Sequence, residues 1–257
     1  MNNLQSHIRL QPVPTAYHPD ISALDSEQLL TELSSRYDVV EKTLALGHTG
    51  AFLLGVRDTN RLVDGIDPAT FAHDERLPYW ADLWVSAVGL AEWCLERGEI
   101  SGKEILELGC GLGLAGIAAG IAGAHVMLTD YEEDALAFAR YNAMRNLPPG
   151  VLTERVRFRQ LDWRSPGELA KVDLVIAADV TYERRNFLPL LRLVSRVLRP
   201  GGMAVFADPD RAVGREFLSI AAAQHHAVTT HTRSVAMNGL LSTIVVAEIR
   251  PPQDARP

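Results

Sequence analysis

Three glycines and two carboxylates stand at spacings that can do chemistry. In ELGCGLGLAG, Glu107 to Gly116, the residues Gly109, Gly111 and Gly113 follow directly on a short apolar run, EILEL. Asp130 lies twenty-one residues beyond Gly109 and closes a second apolar run, HVMLTD. Glycines let a backbone that leaves a strand turn sharply and approach a ligand closely, and a helix opening there points its free amides at the site. A carboxylate at the end of the next strand can accept two hydrogen bonds from a ribose diol. Strand, loop, helix, strand and acid in that order are a much stronger signal than a glycine string alone. Together they describe a cradle for a ligand that carries a nucleoside.

The string reads in two overlapping registers. From Glu107 it is E-x-G-x-G-x-G and resembles an S-adenosylmethionine loop; from Gly111, through Gly113 and Gly116, it is G-x-G-x-x-G and resembles a dinucleotide loop. Asp130 serves either. Glu107 favours the first, because a carboxylate beside the loop repels a pyrophosphate but is tolerated by a sulfonium cation bearing an amino group. In that register Gly109, Gly111 and Gly113 face the ligand, and Gly116 lets the helix lie close to the sheet.

The elements that must position these groups are legible as alternating patterns. Apolar runs at 104–108, 125–129, 156–160, 173–179 and 203–208 read as strands, and helical stretches near 113–122, 132–146 and 183–199 lie between them. Such alternation specifies a parallel sheet with helices on both faces. After a helix at 211–224, strand-like runs at 226–235 and 242–250 joined by AMNGLL form a closing antiparallel hairpin. That ending departs from a plain six-stranded parallel dinucleotide fold. Upstream, the stripe in WADLWVSAVGLAEWCLERG predicts a helix over 80–98 with Gly98 as its C-cap. Residues 21–37 read as a helix, the runs flanking His48-Thr49-Gly50 as a hairpin, 58–77 as a loop and 1–20 as a polar tail. The expected organisation is an N-terminal extension, 1–76, an α/β Rossmann-like domain, 77–250, and a short tail, 251–257.

Composition narrows the classes. A chain of 257 residues, 47% hydrophobic and 22% charged, suits one α/β domain with an appendage and neither disorder nor a membrane protein. The net charge of −7 argues against a nucleic-acid partner, and Arg184, Arg185, Arg192, Arg196 and Arg199 read as a solvated helix face. Two cysteines without C-x-x-C spacing, an N-terminus without an apolar core and no membrane-length run point to a cytoplasmic protein. Eight histidines cluster only at His225, His226 and His231, which read as surface residues, so no metal is expected. No G-x-S-x-G elbow is present for hydrolase chemistry.

Taken in order, ELGCGLGLAGIAAG, LTDYEEDAL, LDW at Leu161–Trp163 and VLRPGGMAVFADP resemble the motifs of class I, seven-stranded S-adenosylmethionine-dependent methyltransferases, over about Leu77 to Arg250. ERLPYWADLWVSAVGLAEWCLE and the D-x-x-Y of AADVTY resemble methyltransferase family 16, a group that contains protein-lysine methyltransferases among other members; Val85 departs from it where many members carry proline. The resemblance implies S-adenosylmethionine as cofactor, with Asp130 on the ribose, Asp162 at the adenine amino group and Trp163 beside it. It also implies cofactor contacts from Trp84, Glu107, Gly109, Cys110, Gly111, Gly113, Tyr131, Ala178 and Asp179, with Trp80 flanking the pocket. Asp179 and Tyr182 are the implied catalytic pair, at the methyl-transfer mouth and the substrate entrance. The implied reaction is methylation of a lysine amine in a protein substrate. The same motifs would serve a small-molecule N- or O-methyltransferase; an NAD-linked oxidoreductase and a non-catalytic cofactor-binding module are the competing classes.

Overall fold

Helix α1 (Ser26–Arg36) starts where Asp25 accepts the amides of Glu27 and Gln28 while Gln28 accepts the Asp25 amide, a reciprocal cap that satisfies otherwise orphaned donors. The computed structural model describes residues 23–64 and 77–252, so the expected polar tail, most of the loop before Leu77 and the last residues lie outside it. Strands β1 (Val39–Leu46) and β2 (Thr49–Val56) form the expected hairpin. A short helix α2 (Asn60–Asp64) follows within the stretch expected to be a loop.

The helix expected from Trp80 is shorter at its start. Tyr79–Ala81 makes one 3-10 turn, Asp82 is extended, and α3 (Val85–Glu96) begins with Trp84 as its N-cap. The Trp84 indole donates to the Tyr79 carbonyl at 2.9 Å, which fixes the segment as a loop. Val85 opens the helix at the first-turn position where proline is also favoured. The helix ends at Arg97, not Gly98, which instead starts another 3-10 turn.

Then the chain alternates: β3 (Glu104–Leu108), α4 (Leu114–Ile121), β4 (His125–Asp130), α5 (Glu133–Asn146), α6 (Pro149–Arg155), β5 (Val156–Gln160), β6 (Val172–Ala178), α7 (Phe187–Val197), β7 (Leu198–Pro209), α8 (Ala212–Ala223), β8 (Ala227–Met237) and β9 (Leu240–Arg250). Helix α6 was not expected; it is one short stretch begun by Pro149 and buries no residue, so it leaves no apolar period to read. The sheet has seven strands in the order β5-β4-β3-β6-β7-β9-β8, parallel except where β9 runs against both β7 and β8. Asn238 and Gly239, both at positive φ (54° and 76°), close the last hairpin with the twist its strands require.

Both faces of the sheet are covered. On one, α3, α4, α5 and the N-terminal elements share a core; on the other, α7 and α8 pack through Phe187, Phe206 and Phe217. Phe217 is fully buried, with its ring 5.3 Å from Phe187 and 5.0 Å from Phe206. Phe217→Ala should cost about 3–5 kcal/mol, read as an earlier urea midpoint.

The N-terminal hairpin is tied to the domain by two asparagines. Asn142 and Asn146, one turn apart on α5, pair with both backbone groups of Leu54 and of Phe52, two apart on β2. The match is geometric: four helical residues rise about 6 Å and two strand residues about 6.6 Å. Asn142 Nδ2 also donates to Leu112 O at 3.0 Å, inside the glycine loop.

Candidate functional site

The strand order reverses at β3: β4 and β5 lie on one side, and β6 and β7 on the other. Such a switch point opens a crevice at the carboxyl ends of the strands. Here the crevice is a cleft of about 1110 Å³, open mouth included, lined by the loops after β3, β4, β5 and β6 and roofed by residues from Leu77 to Ala87.

Gly109 (φ 66°) and Gly111 (φ 51°) occupy left-handed backbone that L side chains rarely adopt. A Cβ on Gly109 would strike Val180, and one on Gly111 would sit 3.2 Å from the Trp80 carbonyl. Both line the cleft, as do Cys110 and Leu112. Gly113 (φ 84°) does not. It packs on Ala139 of α5 and on Leu128, in the turn and the helix contact. Gly116 is a packing residue, since a Cβ there would collide with the Glu107 carboxylate and Leu128.

Glu107 is 3% exposed, beneath the loop at the floor of the cleft. Burial pushes its pKa up to about 8, against the pull of the Gly116 amide, and the Asp130 charge adds to the rise. In the free protein burial thus favours the protonated form of this acid, where the sequence reading took it as a carboxylate beside the ligand. Because its folded pKa lies above its ordinary 4.5, the native state binds the extra proton, and stability falls as pH rises from about 4.5 through 8. Glu107→Gln should flatten this slope by a few kcal/mol in total. Urea midpoints of both proteins at pH 6 and 9 check it, and parallel loss would exclude Glu107 as the source.

Asp130 ends β4 at 8% exposure. Its Oδ2 accepts the Gly111 amide at 2.9 Å and its Oδ1 the Glu132 amide at 3.0 Å. Burial raises its pKa to about 6, opposed by those amides. One carboxylate thus locks both loops while keeping a lone pair on each oxygen. Tyr131 lines the cleft beside it. After β5, Asp162 and Trp163 also line it, but Asp162 accepts the Arg164 guanidinium (2.9 Å) and amide (2.8 Å). Arg164 also stacks over Tyr131 at 5.4 Å, joining the two loops. Nothing in the LDW motif announced it.

Beyond β6, Ala178 and Asp179 meet the cleft from the other side. Asp179 holds φ 54°, an uncommon value for a residue with a Cβ, and its amide donates to Ala207 O at 2.9 Å. Its carboxyl is 4% exposed and its pKa is raised by burial, against the nearby Ser86 hydroxyl and Arg211 guanidinium. Neither oxygen forms a well-directed hydrogen bond among the described residues. At the mouth Tyr182 stacks edge-on against Tyr79 (5.3 Å), and Tyr79 against Trp84 (6.0 Å). Burial pushes the Tyr182 hydroxyl up to about 12. Trp80 sits deeper, between Tyr37 (5.8 Å) and Phe138 (5.4 Å). Tyr79, Ser86, Arg164 and Arg211 are the site residues that sequence reasoning missed. Only Tyr79 had a signal, its place beside Trp80.

Elsewhere, Arg184, Arg185, Arg196 and Arg199 are each engaged locally, with Glu216, Glu183, Gly167 O and Asp173. His226 is buried with Nε2 3.1 Å from Ser195 Oγ, not on the surface as expected.

This sheet and cleft define the class I methyltransferase fold. Magnesium protoporphyrin IX methyltransferase from Synechocystis PCC 6803, solved with S-adenosylhomocysteine bound, superposes with a TM-score of 0.50 at 17% identity, over 75% of this chain and 100% of that one. Residues 73–221, more than half the chain, match the lysine methyltransferase family, and the chain belongs to that family. It is 36% identical over 128 residues to the protein N-lysine methyltransferase METTL21A of Danio rerio, covering 48% of this chain and 57% of that protein. It is 32% identical over 140 residues to the EEF1A lysine methyltransferase 3 of Mus musculus, covering 53% and 59%. The chain thus spans little more than half the length of these relatives.

The residues present fit S-adenosylmethionine. Asp130 offers lone pairs suited to a ribose diol, and the glycine loop lets the backbone approach.

Proposed function

We propose that this chain transfers methyl groups from S-adenosylmethionine to a lysine side-chain amine of a protein. The observation that carries the reading is Asp179, a buried acid that already faces a cation, Arg211 at 2.9 Å, rimmed by Tyr79, Trp84 and Tyr182 in the same cleft as the Asp130–glycine cradle. The cofactor, when bound, supplies a methyl group already activated on a sulfonium. The protein is left to align the acceptor, exclude water and settle its protonation.

A lysine amine has a solution pKa of about 10.4 and must be neutral to attack. Asp179 attracts and orients the incoming ammonium, and the aromatic rim offers ring faces to it. Desolvation between these rings then favours the neutral amine. The proton leaves with water at the open mouth of the cleft. Tyr182, pushed up to about 12, remains a hydrogen-bond donor and does not serve as the base. The free, buried Cys94 and Cys110 support the cytoplasmic placement suggested by the sequence.

Incubation with tritiated S-adenosylmethionine and a cell extract tests the reading. Label is expected in protease-sensitive bands that yield methyl-lysine on hydrolysis. Label confined to protease-resistant small molecules would replace the acceptor class.

A further inference from the structure

Arg211 leaves the loop after β7 as the N-cap of α8. Strand β7 flanks β6 on the side away from β3, so Arg211 reaches Asp179 from the face opposite the glycine loop. A cofactor held by the Asp130–glycine cradle would leave this side of Asp179 to the acceptor. The Arg211 guanidinium lies 2.9 Å from Asp179 Oδ1 and over the Trp84 ring, 5.9 Å from its centre. A carboxylate and an indole face are the two contacts a lysine ammonium would seek. Arg211 is 38% exposed and the Asp179 carboxyl 4%, so the guanidinium stands between the buried acid and solvent.

We propose that Arg211 is a resident stand-in for the substrate cation, holding the seat between Asp179 and Trp84 until an acceptor lysine displaces it. The proposal rests on the lysine-methylation reading. The seat needs a holder: a lone buried carboxylate is strongly unfavourable, and Asp208, pushed up to about 7 by burial and by the charge of Asp179, adds a second acid nearby. A guanidinium suits the task because it keeps its charge and does not act as an amine nucleophile. Exchanging one cation for another leaves the charge of the pocket constant. It also selects against neutral and anionic acceptors, which cannot take over the ion pair.

The test uses the full chain saturated with S-adenosylhomocysteine, with saturation first confirmed by calorimetry. N-acetyl-lysine methylamide is then titrated at pH 8, following the tryptophan indole signals by NMR, with the uncharged norleucine analogue alongside. Removing a competitor that fills the seat most of the time raises apparent affinity by the inverse of the free fraction. Arg211→Ala should therefore bind the lysine probe about three- to tenfold more tightly, with the norleucine analogue unchanged, and Arg211→Lys should stay within about twofold of wild type. Equal or weaker lysine binding in Arg211→Ala overturns the proposal, as does equal tightening in Arg211→Lys. Failure of the wild-type chain to bind S-adenosylhomocysteine defeats the cofactor reading itself and takes the proposal with it.

Discussion

Asp179→Asn is expected to slow methyl transfer by about 100-fold or more while S-adenosylhomocysteine binds within about threefold of wild type. Asparagine keeps the shape, tolerates the left-handed backbone at φ 54° and leaves the amide on Ala207 O. What it removes is the negative charge. A charge-assisted hydrogen bond contributes about 1.5–3 kcal/mol, and loss of the attraction that draws the ammonium to the seat adds to this, with each 1.36 kcal/mol worth tenfold in rate. The cofactor cradle is built on the other side of the cleft, around Asp130, and is untouched. Single-turnover rates with labelled cofactor, set beside calorimetry, separate the two effects. Turnover within threefold of wild type would remove Asp179 from the mechanism.

The second large effect falls on binding. Asp130→Ala takes away two acceptors for a ribose diol and unties the Gly111 and Glu132 amides together. Two charge-assisted bonds at about 1.5–3 kcal/mol each predict a weakening of S-adenosylhomocysteine by roughly 100-fold to 10,000-fold. A pH dependence accompanies it. The acid titrates near 6 in the free protein, and only its ionised form accepts freely on both oxygens. Wild-type affinity should therefore fall as pH drops through about 6, and the alanine variant should lack that step. An Asp130→Ala protein that is folded by circular dichroism and binds as tightly as wild type would dismiss the cradle.

The sheet was legible because its strands are short apolar runs set in a regular alternation, a pattern that survives without contacts. The two asparagine clamps were not, because YNAMRN carries its meaning only when β2 lies alongside. Glu107 shows a different limit. Its place two residues before Gly109 was plain, but whether it faces the ligand or lies under the loop depends on Gly116 leaving room for it. The helix at Trp80 was overextended because its apolar stripe continues through Leu83 and Trp84, while the break comes from extended backbone at Asp82 and Trp84. Arg211 was invisible for a simpler reason: a cation in a loop has no period, and its partner lies 32 residues away in sequence.

The asparagine clamp on β2 also sets where this molecule can be cut. The glycine loop takes one of its fixed points, Leu112 O, from the same Asn142 amide that grips Leu54. A fragment beginning at Leu77 would keep every catalytic motif, yet leave that amide with half its partners and Tyr37 gone from beside Trp80. The N-terminal ribbon works as a brace for the binding loop, so variation in residues 39–56 is a route to altered cofactor affinity without touching the cleft.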